Sequence, residues 1–60
     1  MNYINKIEFK DGSRHESDHI TKDVKIARSE FDTWKHEYKG LIKSIIMYCD
    51  GSCVKVEFSI

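Results

Sequence analysis

Four side chains of metal-ligating type stand in two evenly spaced pairs. His15 and His19 have three residues between them, and so do Cys49 and Cys53. Two thiolates with two imidazoles are a familiar donor set for structural zinc, and a thiolate beside an imidazole is also a nucleophile with its base. The segments that carry these residues argue against both uses. Each pair falls in a stretch that reads as strand or hairpin, where residues four apart are separated by roughly 13 Å at ~3.3 Å per residue. One ion cannot span that gap. A two-residue turn at Asp50-Gly51 also sends Cys49 and Cys53 to opposite faces of a sheet, which opposes a disulfide; only a three-residue turn would set them opposite one another. Nothing in the spacing brings His15, His19 or His36 beside a serine or cysteine together with an orienting group. A chain of 60 residues further lacks the depth for a ligand cleft of about 300 Å³ or more. The expectation is therefore a protein without catalytic residues, metal or cofactor.

Aromatic and basic side chains interleave in the middle of the chain. Phe31, Trp34 and Tyr38 are surrounded by Arg28, Lys35, Lys39 and Lys43, the mixture from which base-stacking platforms are made. Glu30, Asp32 and Glu37 share the segment, and the whole chain balances ten basic against ten acidic side chains. Binders of nucleic acid draw most of their affinity from phosphate neutralisation and usually carry a basic excess. The aromatics are thus expected to be core. A small nucleic-acid-binding or transcription-regulating domain is the second reading, with Lys35, Lys39, Lys43 and Arg14 on phosphate and Tyr48 or Trp34 stacking.

These residues must be positioned by a few short elements. Asp-Gly-Ser follows a β-type run twice, at Asp11-Gly12-Ser13 and Asp50-Gly51-Ser52, and Asp-Gly between alternating segments signals a tight hairpin. In the first hairpin Ile7 and Phe9 point one way, while Lys6, Glu8 and Lys10 point the other. Its return, Arg14 to His19, is polar on both faces and suits a sheet edge. Val24 and Ile26 alternate and suggest a further strand over residues 23–27. Ser29 then reads as the N-cap of a helix from Glu30 to Lys39, with Phe31, Trp34, Tyr38 and Leu41 as its apolar stripe and Gly40 beyond its end.

In the second hairpin Val54, Val56, Phe58 and Ile60 alternate with polar residues. With a two-residue loop Val54 faces Met47 and Val56 faces Ile45, so this valine–phenylalanine side is expected to meet the helix. Ile46, Tyr48, Cys53 and Lys55 then lie on the opposite side; a three-residue loop with a bulge would turn Ile46 and Tyr48 inward instead. The fold class is α+β: a small antiparallel sheet of four or five strands, ordered β-hairpin, helix, β-hairpin, as one domain with one helix packed on one face.

Two surfaces stand out as partner-binding candidates. Ile4, Ile46, Tyr48 and Cys53 are expected to cluster on the face away from the helix, and a contiguous apolar patch on so small a domain marks an interface. Arg14, His15, Glu16, Asp18 and His19 form a second, polar surface on an edge, where binding functions concentrate. A domain this small buries only about 60% of its unfolded surface, and association is one remedy. The N-terminal run alternates, with neither a signal-peptide core nor a bilayer-spanning stretch. This places the chain in the cytoplasm with both cysteines reduced. The absence of proline and the preference for Lys, Ile and Asn over Arg, Leu and Ala suggest an AT-rich genome of phage or mobile-element type. The reading is a non-enzymatic protein-binding module, a homodimer, that inhibits or modulates a host protein in anti-defence fashion.

Overall fold

A computed structural model describes residues 1–59. Five elements follow one another: strand β1 (Tyr3–Phe9), strand β2 (Arg14–Glu16), helix α1 (Val24–Glu37), strand β3 (Ile42–Cys49) and strand β4 (Ser52–Phe58). The four strands make one antiparallel sheet in the order β2-β1-β3-β4, and α1 packs against β1 and β3. The α+β architecture and the helix across one face are as the sequence patterns imply.

The core lies between the helix and the two central strands. It consists of Ile7 from β1, Ala27, Phe31 and Trp34 from α1, and Ile42, Ile45 and Met47 from β3, with Tyr3, Phe9 and Tyr38 packed around it. Period-two alternation explains the β1 contribution: Tyr3, Asn5, Ile7 and Phe9 share a parity, and Asn5 and Ile7 are fully buried. β3 does the same with Ile45 and Met47, while Ile46 and Tyr48 turn to the other side and stay half-buried.

The helix begins earlier than its apolar run suggests. Residues 23–27 are its cap and first turn and not a strand, and Ser29 lies inside it rather than at its cap. Asp23 is the N-cap, its side chain accepting from the Lys25 backbone N–H at 2.8 Å. The reason is a longer stripe: Val24, Ala27, Phe31, Trp34 and Tyr38 fall at alternating three- and four-residue steps. At the other end Tyr38 is the C-cap and Gly40 has φ of 86°. Leu41, expected on the stripe, follows the helix and is 58% exposed.

β4 departs most from expectation. Asp50 and Gly51 form the two-residue turn, with φ of 50° and 84°, and Cys49 pairs with Ser52 and Tyr48 with Cys53. A bulge then shifts the register between Met47 and Tyr48, so that Met47 faces Lys55, Ile46 faces Val56, Ile45 faces Glu57 and Ser44 faces Phe58. One inserted residue exchanges the two faces of the strand beyond it. Val56 therefore does not face Ile45, Val54 does not face Met47, and Lys55 belongs to the helix side. Val54, Val56 and Phe58 are all exposed, at 54%, 40% and 68%. Ile60 lies outside the described residues.

Candidate functional site: the open face of the sheet

The side of β4 that meets the helix is polar. Lys55 holds its Nζ 4.8 Å from the centre of the Phe31 ring, and Glu57 accepts from Lys35 Nζ at 2.7 Å. The Glu57 carboxylate, helped by Asp32, holds the Lys35 ammonium above the ordinary lysine value. A lysine stem and an ion pair thus seal the rim of the core where apolar side chains were expected. Cys53, Val56 and Phe58 go to the face that no helix covers.

Cross-strand pairing sorts that open face into rows. Glu16, Lys6, Ile46 and Val56 form one row, and Arg14, Glu8, Ser44 and Phe58 form the next. Ile4, Tyr48 and Cys53 make a third row at the turn end. The β3–β4 half is therefore apolar, and the β1–β2 half is a square of alternating charge. Lys6 and Glu16 approach to 3.8 Å, Lys43 reaches Glu8 at 3.8 Å, and Lys6 Nζ stands 5.5 Å from the centre of the Tyr48 ring. A shallow open trough of about 690 Å³ runs over Lys6, Glu8, Arg14, Glu16, Asp18, Ser44, Ile46 and Tyr48. It joins the two candidate surfaces, because Arg14, Glu16 and Asp18 border the same depression as Ile46 and Tyr48.

His15 also borders the trough, but it pairs with Ile7 and its ring turns to the helix side, 4.9 Å from Trp34 and 6.5 Å from Tyr38. His19 is exposed in the connection between β2 and the helix, clear of the trough. Cys49 and Cys53 are free thiols on opposite faces. Among the described residues no three His, Cys, Asp or Glu side chains converge as a metal site. Trp34 is only 9% exposed, and Lys35 and Lys43 are ion-paired, which leaves little of the proposed stacking platform on the helix.

The patterns also missed a buried polar clamp. Asn5, 1% exposed, donates through Nδ2 to the Ala27 carbonyl at 3.0 Å and to Glu30 Oε1 at 2.9 Å. Ser17 receives the Asn5 backbone N–H at 2.9 Å and donates to the same Glu30 carboxylate. The clamp ties the β2 exit to β1 and to α1. Its signal was the parity of Asn5, which matches Ile7 and Phe9.

These features define a class: a small β-hairpin–helix–β-hairpin domain with one face covered and one face open. No family model, curated protein or solved structure matches this chain.

Proposed function

We propose that the protein is a non-enzymatic binding module that engages a protein partner through the open face of its sheet. The observation that carries the reading is the polarity of β4, which directs Lys55 and Glu57 to the helix side and Val56 and Phe58 to water. A strand with the reverse polarity would bury more apolar surface within the chain at about 25 cal/mol per Å². Its present arrangement makes sense where another protein covers Ile46, Val56 and Phe58. Charged residues beside this patch add the polar rim typical of such surfaces. The expectation of a phage or mobile-element product that modulates a host protein is a narrower form of the same proposal, supported only by size and composition.

Site-specific photocrosslinking in bacterial cells tests it. A photoreactive phenylalanine at Phe58, on the open face, is compared with one at Ile26, which is 58% exposed on α1 and so lies on the covered side of the sheet. A discrete protein adduct from Phe58 alone, lost with I46S/Y48S, is the expected result. Equal or absent adducts at the two positions would remove the open face as a binding surface.

A further inference from the structure

Resting on the reading of the open face as a protein-binding surface, we infer that its occupant is a second copy of this chain, stacked face to face about a twofold axis that crosses the strands. The argument is the layout of charge. Next to each other on β1 and β2 stand Lys6 with Glu16 and, two residues along, Glu8 with Arg14. The four charges form a checkerboard, with like signs only on the diagonals. A twofold axis running across the strands between these two rows keeps every strand over its own copy and exchanges the rows. Lys6 then meets Glu8 of the second copy, and Glu16 meets its Arg14.

The apolar half obeys the same operation. Val56 meets Phe58 of the second copy, and Ile46 meets its Ser44, so apolar lies against apolar or small, and no charge is set against it. The row of Ile4, Tyr48 and Cys53 lies one step outside and overhangs each end of the contact. An axis along the strands would instead exchange left and right across the sheet, and laid over the middle of the sheet it would put the charged half against the apolar half. Charge complementarity therefore selects both the occupant and the axis. Two-sheet packing at ~10 Å leaves the long Lys6, Glu8, Arg14 and Glu16 side chains within reach of one another.

Size bounds the strength of the contact. Strands of seven, three, eight and seven residues, ~4.8 Å apart and ~3.4 Å per residue, outline roughly 400 Å² per copy in projection, about 800 Å² for the pair at most. That lies at the small end for specific complexes, which points to a dimer of micromolar affinity in exchange with monomer.

Charge exchange tests this arrangement. Sedimentation equilibrium is run on the wild type, on K6E, on E8K and on an equimolar mixture of the two variants, from low micromolar to about millimolar protein. Circular dichroism at the lowest concentration verifies that each variant is folded, as expected for exposed or half-exposed positions. K6E sets carboxylate against carboxylate at both symmetric contacts, and E8K sets ammonium against ammonium. Mixed, each introduced charge meets its opposite. The expected result is a wild-type dimer, association of each variant roughly tenfold to a hundredfold weaker because symmetry counts every altered contact twice, and recovery in the mixture. A wild-type chain that stays monomeric throughout overturns the second copy as occupant, while a specific adduct at Phe58 with a different protein would still uphold the open face as a binding surface. A dimer indifferent to both substitutions, or weakened by both without recovery on mixing, overturns the proposed axis and assigns the contact to another surface, such as the free edge of β4.

Discussion

Asn5 is the residue whose replacement separates two kinds of cost. Its amide is buried on the core side of β1 and serves the Ala27 carbonyl and the Glu30 carboxylate together. Asn5→Ala removes those donors and opens space, and a loss of about 1–3 kcal/mol in urea unfolding is expected. Asn5→Asp keeps the volume but sets a second carboxylate against Glu30. It should destabilise more than the alanine at neutral pH and recover as the solution is acidified, because protonating one partner removes the repulsion and restores a donor. Equal behaviour of the two variants across pH would mean that the clamp contributes through shape alone. Lys35 titrates at the other end of the scale. Its folded pKa is raised, chiefly by the hydrogen bond to Glu57, so the stability this pair contributes is present in full below the ordinary lysine value of about 10.4 and is lost as pH rises through the folded value. Stability measured by denaturant titration should therefore fall above about pH 10 in the wild type, and the lysine-specific part of that fall should vanish in Lys35→Met.

At the scale of the elements, the turns and caps carry sharper local costs than the strands. Gly51 has φ of 84° in the hairpin turn, and a Cβ there would meet nothing within 4 Å. Gly51→Ala should accordingly cost about 1–2 kcal/mol from backbone strain alone, with no clash to relieve, whereas Asp23→Ala should cost about 1 kcal/mol by releasing the Lys25 backbone N–H. Both are measurable by thermal unfolding, and a neutral Gly51→Ala would argue for a different turn. These two residues also mark what could be read from the chain. Asp-Gly announced both hairpins because its conformational demand is local. The helix start was misplaced because Val24 and Ile26 satisfy a two-residue period over a short window, and only the continuation through Ala27, Phe31 and Trp34 shows the longer one. The face of β4 was illegible for another reason. Alternation shows that Val56 and Phe58 share a side, but which side meets the helix depends on one inserted residue, and no residue near Cys53 announces a bulge. Ile4, Ile46 and Tyr48 were placed on the open face correctly because β1 and β3 keep their phase from Tyr3 to Glu8 and from Ile45 to Tyr48. The return strand, polar on both faces, gives His15 no face, and pairing with Ile7 sends it to the helix side.

For the whole molecule the two registers of β4 make opposite statements about stability, and this gives a test independent of any partner. If Val56 and Phe58 were packed under the helix, Val56→Ser/Phe58→Ser would leave a cavity and bury hydroxyls at a cost of about 4 kcal/mol or more, enough to unfold a domain of this size. In the bulged register both side chains face water, at 40% and 68% exposure, and the same double variant should change the stability of the monomer by less than about 1 kcal/mol. Protein concentration then separates the fold from the contact it makes. A dimer that forms only from folded chains adds stability by mass action, so the wild-type midpoint in urea should rise as protein is raised from low micromolar to high micromolar. The double variant should start from nearly the same midpoint and stay there. A variant already unfolded at low concentration would return Val56 and Phe58 to the core. A wild-type midpoint independent of concentration would leave the fold as described and take the second copy off its open face.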